Sequence, residues 1–514
     1  MSNGAETRPN IVLVVADQLS ALHLRAYGHL VTKTPVIDRL ARAGVVFDNA
    51  YSPSPLCAPA RSTLMSGLLP SSTGAYDNAA EFPSAIPTFA HYLRLEGYRT
   101  CLAGKMHFVG PDQLHGFEDR LTTDVYPADY GWTPDWRRGS ERIDWWYHNM
   151  SSVKQAGTAE ITNQLEYDDE VAFLAIRRIY DHARYDGDSP LCLCVSFTHP
   201  HDPYVARPAY WNLYADDEID APRIEAPPAA GLDPHSLRLR TASAMDELEL
   251  TPSDVLTSRH GYYASLSYVD ERIGEVLSAL EACGLADDTI VILTSDHGDF
   301  LGERGLWYKM SFLEHAAHVP LVVAAPGRFA ARRVREPVSL ADLAPTLADL
   351  ARPGLSGTLA RPVDGRSLVP LLEGGSENPA GTVFGEYLAE GVLAPMFMVR
   401  RERWKLIRTR TDPDQLFDLD ADPLELVNRA DDPAAAGELA ELGEIAEERW
   451  DAAALESEVL RSQQTRLMLF QALRRGSHFP WDYQPLRKAS EQYTRNHMDV
   501  TGKDQQSRFP VVRP

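Results

Sequence analysis

Two dyads, Asp17–Gln18 and Asp296–His297, set carboxylate, amide and imidazole donors at or just past the ends of two apolar, β-branched runs, "NIVLVVA" and "TIVILTS". Hard oxygen donors suit calcium or magnesium, and an imidazole among them admits manganese. Each dyad alone could equally cap the helix that follows its strand. Two dyads ending similar strands favour one divalent-metal centre. Basic groups recur at Arg61, at Lys105 and His107 in "GKMH", at His199 and His201 in "THPHDPY", and at Lys309 in "WYKMS". Each could be an ordinary packing or surface residue. Gathered in one pocket, they would neutralise a tetrahedral oxyanion and protonate a leaving group. Cys57 stands between prolines in "SPLCAPARS", four residues before Arg61, with neither a second thiol nor a His near it in sequence.

The elements that must position these residues are legible as short, near-continuous apolar runs. "NIVLVVA", "LCLCVSFTH" and "TIVILTS" alternate with helical patterns at 34–43 and 262–283, which predicts a mostly parallel sheet covered on both faces. Ligands of such sheets sit beyond the carboxyl ends of the strands, so all three runs deliver polar groups to one rim. The expected class is α/β, with a large mixed, mostly parallel sheet sandwiched by helices over residues 1–375. Short antiparallel strands and a helix then form a smaller α+β subdomain over 376–475, and 476–514 reads as an extended tail rich in Pro and aromatics. At 514 residues the chain can bury a large core. Its formal charge of −23 disfavours nucleic acid and anionic membranes as partners. The six-residue run "IVLVVA" is too short for a signal segment or a span, and five sparse cysteines suit a reducing cytoplasm.

The pattern C-x-P-x-R at Cys57–Arg61, with "NIVLVVADQ", "GKMH", "PHDPY" and "SDHGD" in that order, resembles the type I sulfatases of the alkaline-phosphatase-like superfamily, over roughly residues 9–420. The resemblance implies that a formylglycine-generating maturation enzyme oxidises Cys57 to Cα-formylglycine, whose hydrate is the nucleophile. It implies metal ligation by Asp17, Gln18, Asp296, His297 and residue 57, with calcium first and magnesium or manganese next. Arg61 and Lys105 would support the hydrate, His107 would be the base for its collapse, and His201 with Lys309 would hold sulfate and assist the leaving oxygen. Gln18 and His297 stand where many members carry Asp and Asn, which leaves one carboxylate fewer and the ion's identity open.

Four of the nine tryptophans, Trp132, Trp136, Trp145 and Trp146, fall within residues 130–147 beside acidic groups, a composition that suits a quaternary ammonium or an ordinary core. "GAYDNAAEF" and the tail segments "RRGSHFPWDYQP" and "YTRNHMDV" resemble the choline-sulfatase subgroup. That resemblance implies choline-O-sulfate as substrate, a homodimer or homotetramer with tail exchange, and Asn78, Trp132, Trp146, Glu386 and Asp499 as substrate-binding candidates. The alternative roles are a surface salt bridge for Glu386 and a helix or turn cap for Asp499. Other expectations from the sequence are hydrolysis of a phosphate or phosphonate monoester or of another sulfate, and a non-catalytic binder with unmodified Cys57.

Overall fold

A computed structural model describes residues 8–139, 141–142, 148–187, 189–228, 231–376, 378, 381–486, 493 and 498–510. Trp145 and Trp146 lie outside the described residues. The main sheet contains β1 (Asn10–Ala16), β2 (Val45–Phe47), β3 (Arg99–Gly104), β4 (Asp119–Arg120), β5 (Leu191–Phe197), β6 (Thr289–Thr294), β7 (Leu321–Ala324) and β8 (Arg332–Val334). Their order is β8-β2-β7-β6-β1-β5-β3-β4. β1 is central and parallel to both β5 and β6, and only β7 runs against its neighbours.

Alternate residues of each strand enter different cores, as a sheet buried on both faces requires. Val12, Val14, Leu193, Val195 and Leu293 face one core; Ile11, Leu13, Cys192, Cys194 and Ile292 face the other. The first core is closed by α1 (Pro35–Ala43), with the second supplied in part by α2 (Cys57–Ser66). The long helices α3 (Asn163–Asp181) and α4 (Pro252–Ala282) join the first core, and α5 (Leu343–Ala351) joins the second.

Strands β9 (Thr382–Tyr387), β10 (Met396–Arg401), β11 (Trp404–Thr409) and β12 (Gln415–Asp418) form an antiparallel meander. One face packs on α6 (Ala436–Arg449) through Val399, Leu406, Leu416 and Leu442. The other face gives Tyr387, Met398 and Ile407 to the first core, which α7 (Ala452–Leu473) also joins through Leu455 and Val459. The smaller sheet therefore shares a core with the larger one.

Part of the tail folds back on its own chain. Trp481 meets Tyr130 edge-on at 5.2 Å, the Ala128 N–H donates to Asp482, and Arg120 lies over the Tyr483 ring. Farther on, Asp499 is the exposed N-cap of α8 (Val500–Ser507), accepting from the Gly502 N–H. Within one chain Asp499 thus serves as a cap.

Candidate active site

The strand ends converge as the sheet topology demands. Asp17 follows β1, Asp296 and His297 follow β6, Lys105 follows β3, and His199 and His201 follow β5. Gly104 sits at φ +109°, and a Cβ there would lie 1.9 Å from the Ser196 carbonyl oxygen, so only glycine lets the chain turn Lys105 inward. Cys57 is the first residue of α2, whose positive end favours an anion. Leu56 supplies no cap; Asn78 does, its Oδ1 accepting from the Ala58 N–H at 3.0 Å.

At the floor, Arg61 donates from Nε to Asp296 Oδ2 (2.8 Å) and from Nη1 to the Lys105 carbonyl (2.6 Å) and Ser196 Oγ (2.8 Å). Lys105 forms an ion pair with Asp17, and its ammonium lies 4.2 Å over the Tyr126 ring. Burial alone would raise the Asp17 carboxyl; Lys105 and Arg61 outweigh it and hold it well below the usual range. Asp296 is likewise lowered, burial being outweighed chiefly by Arg61.

His297 is buried, and burial pulls its pKa down to about 4. Its Nδ1 faces the Gly298 carbonyl at 3.1 Å. A carbonyl only accepts, so Nδ1 carries the proton and Nε2 presents a lone pair. That lone pair lies 3.7 Å from both Asp17 Oδ1 and Asp296 Oδ2 and 3.2 Å from Cys57 Sγ. The Cys57 thiol can donate to Nε2, but the two carboxylates share no proton with that lone pair and are repelled by it unless a cation stands between them. The Asp17, Cys57, Asp296 and His297 donor atoms all lie within 4.8 Å of one another. This spacing fits one hard divalent cation bonded at roughly 2.0–2.6 Å.

Gln18 adopts a left-handed backbone, φ 62°, and its backbone N–H, not its side chain, bonds Asp296 (3.2 Å). The side-chain nitrogen donates to Asp299 (2.6 Å) and the oxygen accepts from Lys309 Nζ (2.7 Å). A carbonyl oxygen has two lone pairs, so a metal would have to share it with Lys309.

Above the floor, Lys309 Nζ also meets His201 Nε2 at 2.8 Å. His201 Nδ1 faces the Asp202 carbonyl at 2.7 Å, and burial, reinforced by Lys309, holds its pKa well below the ordinary range. His201 is therefore neutral, donating from Nδ1 and accepting from Lys309. Two of the three Lys309 protons are thereby placed, and one is left for a substrate oxygen. His148 groups with His201 and Asp202, but the Lys309 ammonium beside them disfavours a second cation. His199 is spent elsewhere, on Asp168 at 2.6 Å. His107 is buried beside the Tyr126 and Trp132 rings, at 5.2 and 5.8 Å, and neither ring nitrogen has a hydrogen-bond partner among the described residues.

The candidate acid Glu386 is occupied: it accepts from the Ser71 N–H (2.7 Å), Ser71 Oγ (2.6 Å) and Trp450 Nε1 (2.7 Å). Four residues on, Glu390 is 7% exposed, and among the described residues its carboxylate has no hydrogen-bond partner beyond its own backbone N–H. Burial pushes its pKa up to about 8, opposed by its own backbone N–H and by Lys309, with Asp77 adding to the rise. The loop carrying it is fixed: Trp136 Nε1 donates to the Ala389 carbonyl (2.7 Å), and His235 and Arg238 hold the Gly391 carbonyl. Sequence reasoning missed Glu390; its only signal is a lone acid in the apolar stretch "YLAEGVLA". It also left Asp299 unassigned, a buried acid whose pKa burial pushes up to about 6.

The sequence model of a family described as Sulfatase matches residues 9–353, and one described as Choline sulfatase enzyme C terminal matches 457–509. A third, N-sulphoglucosamine sulphohydrolase, C-terminal, matches 302–449. The Choline-sulfatase of Rhizobium meliloti (strain 1021) is 50% identical over 510 residues, covering 98% of this chain and 99% of its own. Arylsulfatase K of Gallus gallus is 30% identical over 451 residues, covering 82% and 79%. Among solved structures, the phosphonate monoester hydrolase of Agrobacterium radiobacter matches with a TM-score of 0.69 at 26% identity, covering 88% of this chain and 96% of that one.

Proposed function

This chain belongs to the sulfatase family, and from that premise we propose that it hydrolyses choline-O-sulfate to choline and inorganic sulfate. The observation that carries the choice of ester is Glu390, a buried acid that among the described residues has no cation or hydrogen-bond donor on it beyond its own backbone N–H, in a loop held by Trp136. A buried charge without compensation is costly, and a quaternary ammonium supplies the missing charge without needing a hydrogen bond. Trp132, whose ring lies 5.8 Å from that of His107, is the proposed aromatic contact, and Asn78, Trp146 and the tail residue Asp499 complete the proposed substrate contacts, the last from a neighbouring subunit. Glu390 takes the role that the sequence suggested for Glu386.

In this reading Asp17, Asp296 and His297, with Gln18 and residue 57, hold a divalent ion, calcium first, which supplies Lewis-acid activation of the nucleophile. Matured to formylglycine, residue 57 supplies a hydrated aldehyde, so that one hydroxyl can attack sulfur and loss of the other's proton can expel sulfate. Arg61 and Lys105 keep Asp17 and Asp296 ionised and offer positive charge to the sulfate oxygens. As the S–O bond to choline breaks, Lys309 gives its unassigned proton to the departing oxygen, and His201, neutral and accepting from Lys309, holds that ammonium in place. His107, with its nitrogens uncommitted, takes the proton when sulfate leaves.

The same reading takes residues 1–375 as the catalytic unit, 376–475 as the subdomain and 476–514 as the exchanging tail of a homodimer or homotetramer in the cytoplasm. It requires a formylglycine-generating partner. No described helix is long and apolar enough to cross a membrane. The deciding experiment compares kcat/KM for choline sulfate, an uncharged alkyl sulfate, an aryl sulfate and p-nitrophenyl phosphate. Preference for choline sulfate is expected; a dominant phosphatase rate overturns the reading. Mass spectrometry of the Cys57 peptide from native cells should show sulfur and two hydrogens replaced by oxygen, and an unmodified thiol would instead indicate a binding protein.

A further inference from the structure

We infer that Gln463 and Arg466, on the C-terminal helix α7, are positioning residues that set the cation end of the site from within the same chain. The inference rests on the choline-sulfate reading above. Three residues apart, the two side chains share one helix face, and both are buried, at 0% and 5% exposure. Buried polar groups on a peripheral helix need a reason, and here each has a specific partner.

Arg466 grips Asp77 with both nitrogens of its fork, Nη1 to Oδ1 and Nη2 to Oδ2, each at 2.7 Å, and Nη1 also reaches Thr133 Oγ1 at 3.1 Å. Such bidentate pairs fix orientation as well as distance. The next residue, Asn78, caps the helix that begins at Cys57. Asp77 is also one of the two charges that act on Glu390. Gln463 Oε1 accepts from the Trp136 N–H at 3.0 Å, and the indole of Trp136 holds the Ala389 carbonyl, one residue before Glu390.

One helix face therefore fastens two walls, the Asp77–Asn78 loop and the Thr133–Trp136 segment. On the second wall, Gln463 reaches the Glu390 loop through Trp136. A cut at Gln463 releases the Trp136 end of that wall, while Arg466 still holds Thr133. A cut at Arg466 releases the first wall and the Thr133 end of the second, and leaves Asp77 buried without its counter-charge, close enough to Glu390 to act on it. Neither residue touches the reacting atoms.

The test measures kcat and KM for choline sulfate and for an uncharged aryl sulfate in the mature enzyme, in Gln463→Met, in Arg466→Lys, and in Arg466→Met with and without Asp77→Asn. In the parent enzyme, preference for choline sulfate is required; its absence overturns both the functional reading and this inference. Given that preference, Gln463→Met should raise KM for choline sulfate about tenfold while leaving kcat and the aryl sulfate unchanged. Arg466→Lys keeps the charge but not the fork and should shift the same KM in the same direction. Adding Asp77→Asn to Arg466→Met should recover part of the loss, because removing both charges avoids a buried unpaired carboxylate. A fall of equal size for both esters, or an unchanged KM for choline sulfate in Gln463→Met and Arg466→Lys, overturns the inference while leaving the choline-sulfate reading standing.

Discussion

The two ends of the site differ in how their charges are balanced. At the sulfate end, Asp17 and Asp296 are matched by Lys105 and Arg61, and most donors meet an acceptor within hydrogen-bond distance. At the proposed cation end, Glu390 is buried with no partner among the described residues beyond its own backbone N–H, and burial pushes its pKa up to about 8. Strand ends build the first, so the sheet's hydrogen bonds fix its geometry. Loops and a distant helix build the second. The contrast teaches where each end takes its compensation from in the proposed reading: the protein's own cations and a bound metal at the first, the substrate at the second.

The sharpest way to break this contrast is Cys57→Ala. It should lower turnover of every ester by about 10⁴-fold or more, with the folded protein intact by calorimetry; a modest loss would remove residue 57 from the nucleophile's role. Arg61→Met uncovers two buried carboxylates and should cost about 3–5 kcal/mol of stability in denaturant titration. A neutral result would mean that the sulfate end is not internally balanced. Glu390→Gln should raise KM for choline sulfate about 100-fold, in line with removal of one partner of a buried charge pair, and leave an uncharged aryl sulfate alone.

The pH dependence sharpens the same point. A carboxyl whose folded pKa is raised from 4.5 to about 8 destabilises the free protein progressively as pH climbs through that window. Glu390→Gln should therefore raise Tm at pH 8 more than at pH 5, and equal shifts would refute the assignment. In kinetics the sign is opposite: kcat/KM for choline sulfate, relative to the aryl ester, should increase as pH rises through 8 and Glu390 ionises. The smallest effect belongs to Glu386→Gln, which removes a satisfied carboxylate remote from the proposed cation contact. It should cost about 1–2 kcal/mol of stability and change neither KM by more than about twofold.

Most of the sulfate end was legible because its residues follow recognisable strands. Asp17, Asp296, His297 and Lys105 each come at a fixed place relative to an apolar run, and sheet topology does the rest. Gln18 shows the limit of that reading: its position in the dyad is clear, but a left-handed backbone sends its amide to Lys309 and Asp299. Glu386 shows another. Both it and Glu390 lie in the stretch from β9, and only tertiary packing decides that Ser71 and Trp450 satisfy one while the other is left unpaired. Asp499 carries a cap in this chain, a role its sequence context also allowed.

By itself the sequence determined the α/β class, the strand-end rim and the residue types gathered there, because strand period, apolar runs and short motifs are local properties. It also carried the C-x-P-x-R pattern around Cys57. The tertiary structure alone decided which of the two acids is satisfied by Ser71 and Trp450, and which helix pairs with Asp77 and Trp136. Those outcomes depend on contacts such as Arg466 with Asp77, 389 positions apart, and hydrogen-bond satisfaction at that separation has no periodicity or spacing for a sequence to display.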